Sequence, residues 1–212
     1  MNPEEAEFLV SFICESDAIE GIDDDPSLVR AQIEQKHARG HVGALLLLRE
    51  HSLQKVPLRP ILVRQTQALI VAEQGEKGER EIEERHRGNW RDCDVWIGNE
   101  KCLSPTEVPS RMDKLIEETR DWQKTCHKLS KVQRATAIAR FHYTYLHIHP
   151  FVDGNGRSGR ALVYYLYRFA GLEPFIFTSA DRHAKYYPCF RDPMAPLLME
   201  DYFRERTRLS PR

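Results

Sequence analysis

Apolar residues return at helical intervals along most of this chain. Phe8, Leu9, Phe12, Ile13 and Ile19 share one face of a helix predicted over residues 4–20, and Gly21 follows as its stop. Asp23-Asp24-Asp25-Pro26 reads as a turn whose last acid can cap a second helix, which has Pro26 in its first turn and carries Leu28, Val29 and Ile33. A third apolar segment begins around Gly40 and runs from Val42 to Leu48. Pro57 to Pro60 breaks the pattern, and Ile61, Leu62, Leu69, Ile70 and Val71 mark another helix. Gly75-Glu76-Lys77-Gly78-Glu79-Arg80 is polar and predicted to be flexible.

The period then changes from helical to alternating. Arg91-Asp92-Cys93-Asp94-Val95-Trp96-Ile97, followed by Gly98-Asn99 and Lys101-Cys102-Leu103, predicts a short β-hairpin in an otherwise helical chain. A lone hairpin is marginal, so it must lean on the helical body or on a ligand. Helical spacing resumes over about 108–122, after Pro105 and Pro109, and again over about 131–147. That second helix aligns Ile138, Phe141 or His142, Tyr145 and Leu146, and it ends before Pro150 because a residue preceding proline avoids the α region. A last predicted helix starts near Arg157, carries Leu162, Val163, Leu166 and Phe169 inward, and closes at Gly171. The pattern predicts a mainly α fold with one small β-hairpin, built as one domain over 1–212.

Composition narrows the function classes. A chain of 212 residues can bury about 70% of its unfolded surface, enough for a full core. Its 32 acidic and 31 basic residues nearly cancel, so no global field points to nucleic acid or to an anionic membrane. The strongest apolar run, Ala44–Leu48, is too short to span a bilayer, and the acidic start Met1-Asn2-Pro3-Glu4-Glu5 lacks the form of a signal peptide. Five widely spaced cysteines without a CxxC pair imply reduced thiols and a cytoplasmic location. Any anion site must be local.

One stretch supplies it. His149-Pro150-Phe151-Val152-Asp153-Gly154-Asn155-Gly156-Arg157-Ser158-Gly159-Arg160 joins a titratable base, a carboxylate, a glycine-rich turn and two arginines between two predicted helices. Gly154, Asn155 and Gly156 can turn several backbone N–H groups into one concavity, to which the next helix adds its positive end. Arg157 and Arg160, three apart on that helix, can reach the same anion. Asp153 suits a magnesium ion bridging phosphate oxygens, and His149 suits a general base. No lysine follows the glycines, so this is not a P-loop.

At this point the chain resembles the Fic (filamentation induced by cAMP) family, whose motif HxFxxGNGRxxR, with an acid before the first glycine, is matched by His149, Phe151, Asp153, Gly154, Asn155, Gly156, Arg157 and Arg160. The segments Gln67-Ala68-Leu69-Ile70-Val71, Glu73-Gln74, Arg87-Gly88-Asn89-Trp90-Arg91, Ile97-Gly98 and Val108-Pro109 follow in family-like order. The resemblance implies a Fic-like helical bundle that transfers AMP from ATP to a Ser, Thr or Tyr hydroxyl of a target protein. It implies His149 as the base, Asp153 as the Mg²⁺ ligand, the 154–156 amides at the α-phosphate and Arg157 and Arg160 at the outer phosphates. The hairpin resembles the family's flap, which registers a target's backbone by strand addition. Transfer of another nucleotide, removal of AMP, and a nucleotide-binding module without turnover remain open, as does a homo-oligomer.

Ser16-Asp17-Ala18-Ile19-Glu20-Gly21 matches the family's inhibitory pattern [S/T]xxxE[G/N], which would make residues 4–21 an N-terminal inhibitory helix. A carboxylate in a last helical turn calls for a cation, and the resemblance names Arg160; a local pairing with Arg30 is the plainer alternative. Tyr186 and Tyr187 resemble the family's adenosine-side tyrosines and equally suit a core, but Asp192-Pro193-Met194-Ala195-Pro196 offers no asparagine where many relatives have one. His142 reads as a packed helix residue. Tyr164, Tyr165 and Tyr167 read as helix surface and core, and Trp90, Trp96 and Trp122 as packing residues.

Overall fold

The computed structural model describes residues 1–77, 81–191 and 194–209. The chain opens with α1 (Pro3–Ile19), started by the Asn2 side chain accepting from the Glu5 amide at 2.8 Å. Glu20 caps its end and Gly21 turns away at φ 84°. After α1 come α2 (Pro26–Glu34), capped by Asp25 as its Asp-Pro start predicts, then α3 (Gly40–Leu53) and α4 (Pro60–Ile70). A 3₁₀ turn over Val71–Lys77 follows α4; the predicted flexible stretch runs on into residues 78–80, outside the described ones.

Strands β1 (Trp96–Ile97) and β2 (Glu100–Lys101) pair antiparallel, Trp96 opposite Lys101 and Ile97 opposite Glu100. The alternating pattern predicted longer strands. Beyond the paired residues, one bond, Cys102 N–H to Val95 O at 3.0 Å, carries the ladder further. Then come α5 (Val108–Thr125), α6 (Lys131–Ile148), α7 (Asn155–Phe169), the short α8 (Pro188–Arg191) and α9 (Ala195–Leu209). A reciprocal cap starts α6: Ser130 Oγ accepts from the Gln133 amide and the Gln133 side chain accepts from the Ser130 amide. The fold is mainly α, as predicted.

One apolar cluster reaches from Leu9 in α1 to Phe203 in α9. Helices α6 and α7 carry its centre: Ile138, Phe141, Tyr145 and Leu146 from one, Leu162, Val163 and Leu166 from the other. They approach closely because Gly159 has no side chain; a Cβ there would come within 3.1 Å of Tyr145 and 3.2 Å of Leu146. Helix α9 packs along α6 and covers its other flank. One expectation fails at the surface: Trp96, read as packing, is 60% exposed. Leu28 and Ile61, which mark the patterns of α2 and α4, sit exposed on the outer faces of those helices. Conversely Tyr164, Tyr165 and Tyr167 are all buried.

Candidate active site

The site forms where α6 stops and α7 starts. At the end of α6 the chain leaves the right-handed region, as the following proline demands, and His149 takes φ 52° and ψ 64°. That left-handed conformation costs a non-glycine residue on the order of 1 kcal/mol, so the surroundings must hold it. They do so with side-chain hydrogen bonds. Asn155 spans the turn, accepting from the Phe151 amide at 2.9 Å and donating to its carbonyl at 2.8 Å. Phe151 is fully buried against Trp90, ring centres 5.0 Å apart. Gln67, buried in α4, donates to Asp153 O at 3.0 Å and accepts from the Gly88 amide at 2.6 Å. Gly154 begins α7 at φ 75°, and any Cβ there would strike Val71 at 2.9 Å. Ser158 Oγ donates to Gly154 O at 2.7 Å and meets Tyr145 OH at 2.7 Å.

The turn gathers the charged groups at one helix N-terminus. Asp153 stands at its edge, its side chain 42% exposed, with Oδ2 accepting from Gln74 Nε2 at 2.7 Å and Oδ1 from the Gly154 amide. Arg157 lies 3.8 Å from Asp153 and Arg160 is 1% exposed. The Arg160 guanidinium is engaged by α1: Nε donates to Ser16 Oγ at 2.9 Å, and Nη2 to Ser16 O at 2.8 Å and Glu20 Oε1 at 2.7 Å. A Cβ on Gly156 would fall 2.2 Å from Glu20 Oε1. The carboxylate therefore rests directly on the first turn of α7, where the helix dipole favours an anion. Arg30 pairs with Glu7 instead, so the local alternative for Glu20 is excluded.

Titration follows from burial and neighbours. Burial pushes the Glu20 carboxyl up, but the charge and hydrogen bond of Arg160, with Arg157 and Arg182 beyond, outweigh it and lower its pKa. Burial likewise opposes charge on Arg160, and Glu20 with Tyr186 more than restores it. Burial holds His149 down at about 4, with Arg91 adding to that and Glu20 and Asp153 opposing it. The imidazole is thus neutral near pH 7. Its Nδ1 stands 3.4 Å from Leu146 O, which favours the tautomer with hydrogen on Nδ1 and leaves Nε2 as the acceptor.

The predicted residues His149, Asp153, Gly154, Asn155, Gly156, Arg157, Arg160, Ser16 and Glu20 converge. The Asn155 side chain is taken up by the loop, so only its backbone faces a ligand. Tyr186 is buried among His142, Phe177 and Tyr202, its hydroxyl 2.8 Å from His142 Nε2 and near enough to the Arg160 charge to feel it. It belongs to the core alternative and braces Arg160 from behind. Tyr187 accepts from Arg182 Nε at 2.9 Å and its hydroxyl lies 3.4 Å from Ile19 O, against the end of α1. Asp192 and Pro193, near the position lacking the asparagine, lie outside the described residues.

Sequence reasoning missed the supports. Asp17 pairs with His41 in α3 at 2.9 Å, both side chains 3% exposed, and so pins α1 beside the site. Gln67 and Gln74 were read only as family-like order, although a polar residue on the inner face of α4, at the α-helical spacing of Val63 and Ile70, was a signal for Gln67.

Comparison with known proteins places the chain in a family. The Fic/DOC family model matches residues 57–167, more than half of the chain's 212 residues. The chain belongs to the Fic/DOC family. A protein adenylyltransferase Fic of Nematostella vectensis is 28% identical over 183 residues, 82% of this chain and 41% of that protein. One from Drosophila virilis is 34% identical over 100 residues, 47% of this chain. The chain thus spans 19% to 41% of the length of these two curated relatives. Among solved structures, a Fic domain containing signaling protein from Bacteroides thetaiotaomicron superposes with TM-score 0.75 at 20% identity, over 98% of this chain and 88% of that one. A Fic family protein from Desulfovibrio desulfuricans gives 0.64 at 23% identity, over 98% and 66%. At these identities the structural likeness is one of fold.

Proposed function

We propose that this chain is a protein adenylyltransferase: it transfers AMP from ATP to a Ser, Thr or Tyr hydroxyl of a target protein, and Glu20 restrains it. Residues 1–212 act as one Fic unit, with 4–21 as the inhibitory segment. The observation that carries this reading is the Glu20 carboxylate lying on Gly156 and gripping Arg160 at 2.7 Å. An anion cradle at a helix N-terminus is here filled by the protein's own anion.

In the reaction, the target hydroxyl oxygen attacks the α-phosphorus, a new P–O bond forms, and the bond to the β-phosphate bridging oxygen breaks to release pyrophosphate. His149, neutral through burial, takes the hydroxyl proton on Nε2. Backbone N–H groups at the start of α7 stabilise the charge growing on the α-phosphate oxygens. Arg157 and Arg160 orient the outer phosphates once Glu20 withdraws. Asp153, partly exposed beside these amides, suits a hard cation completed by phosphate oxygens; magnesium held there would neutralise charge on the triphosphate.

A second reading, removal of AMP, is favoured by Glu20 alone: its side chain keeps 34% exposure while held over Gly156, so it could orient a water. Labelled ATP decides between these and a module without turnover. The Glu20→Gly protein should label itself at least about tenfold faster than the parent, and adding His149→Ala should remove about 10²-fold or more of that rate. Equal labelling of parent and Glu20→Gly would refute the brake, and labelling unchanged by His149→Ala would refute the base.

A further inference from the structure

One buried arginine outside the proposed chemistry joins the two halves of the site. Arg91 is 2% exposed. Its Nε donates to His149 O at 2.7 Å, and Nη2 reaches Ile148 O at 3.4 Å. On the other side Nη1 donates to Cys93 O at 3.0 Å and Nη2 to Leu103 O. Its own amide donates to Pro150 O at 2.9 Å. Among the described residues it makes no ion pair; every acceptor is a backbone carbonyl. A buried cation without a counter-charge is disfavoured, and burial lowers the Arg91 pKa below the ordinary value. Two features offset this: the negative end of α6 and a set of acceptors that suits the planar fork of a guanidinium.

The acceptors fall into two groups. Ile148, His149 and Pro150 carry the strained turn at the base, whereas Cys93 and Leu103 are the two feet of the hairpin. We propose that Arg91 is a positioning residue that fixes the feet of the hairpin and the backbone of His149 as one unit, so that a hydroxyl aligned along the hairpin arrives at the imidazole. This deepens the function proposed above and rests on it for its catalytic consequence. The joint itself rests on the hydrogen bonds alone. A mere cap for α6 would lower stability and every activity in parallel.

The test uses the full chain in the Glu20→Gly background. Arg91→Met keeps length without donors, and Arg91→Lys keeps charge without the fork. Three readouts are needed: affinity for a non-hydrolysable ATP analogue, self-labelling kcat and KM for ATP, and hydrogen exchange followed by mass spectrometry. In Arg91→Met, analogue affinity and KM should stay within about twofold while kcat falls about a hundredfold, the size expected when reacting groups lose alignment. Exchange should quicken together in residues 93–103 and 148–151 and not in α2. Arg91→Lys should recover less than about a tenth of the lost kcat, since one ammonium cannot reproduce the fork.

Loss of analogue affinity in step with kcat, full recovery by lysine, or faster exchange in only one of the two segments would overturn the joint. Should Arg91→Met not fold, Arg91→Lys carries the same readouts. If the Glu20→Gly parent itself does not label, the functional reading fails and exchange alone decides the joint.

Discussion

The turn between α6 and α7 and the hairpin of β1 and β2 lie at opposite sides of Arg91, and they are built on opposite principles. The turn is buried, its backbone polar groups bonded to Asn155, Ser158, Gln67 and Arg91. The hairpin has two residues in each strand and presents Trp96 and Ile97 at 60% and 48% exposure. A group that must hold phosphates in one geometry gains from a fixed frame, because ordering costs are met once, during folding. An edge that accepts varied backbones gains from open N–H and C=O groups and from few internal contacts. On the function proposed above, the first region would carry the chemistry and the second the recognition of a target.

Acid should separate the two regions most strongly. Burial holds His142 at about 3 and His149 at about 4, both below the ordinary histidine value near 6.5. The unfolded chain therefore binds protons that the folded chain refuses. Their full contribution is present above about pH 6.5 and is lost as pH falls toward 4. Stability measured by urea unfolding should drop by roughly 3 kcal/mol or more between pH 7 and pH 4. His142→Gln should reduce that slope, and a slope unchanged by it would show that His142 takes up its proton as readily in the fold as in the unfolded chain. Substitutions on the hairpin should not alter it.

Next comes the frame itself. Asn155→Ala strands the Phe151 amide and carbonyl inside the turn, at about 2–3 kcal/mol in stability. Its thermal midpoint should fall by several degrees, and analogue binding should weaken with it; a loss under about 0.5 kcal/mol would mean that the turn does not depend on this brace. Trp96→Ala should move least. With the ring already exposed, stability should change by less than about 0.5 kcal/mol and analogue binding not at all, while labelling of a captured protein target falls. A large stability loss would place Trp96 in the folded body and erase the contrast.

The sequence made the same division visible, though unevenly. Helices α1, α2 and α4 to α7 were legible because apolar residues recur at helical spacing and Pro and Gly mark their ends, whereas α3 showed only as an apolar run from Val42 to Leu48. Helix α9 was not read, although Leu198, Met199, Tyr202 and Phe203 carry such spacing and three of these are buried along α6. Leu28 and Ile61 show a limit of the pattern: they are apolar residues within helical segments that face solvent, and periodicity alone does not settle which side the body covers.

In the site, the chemical groups were legible because they fall within one twelve-residue stretch. Their supports were not, since Gln67, Gln74, Arg91 and the Asp17–His41 pair act across long sequence separations. Tyr186 illustrates the limit from the other direction. The same side chain suits a nucleotide wall or a core, and only packing against His142 and Phe177 distinguishes them.

Calorimetric titration of a non-hydrolysable ATP analogue and of AMP into the parent and Glu20→Gly proteins tests the occupied cradle most directly. On the function proposed above, Glu20 would compete with the triphosphate for Arg160 and the start of α7, so its removal should tighten the triphosphate about tenfold and leave AMP within about twofold. An equal change for both ligands, or none for either, would contradict the claim that this carboxylate stands where the outer phosphates bind.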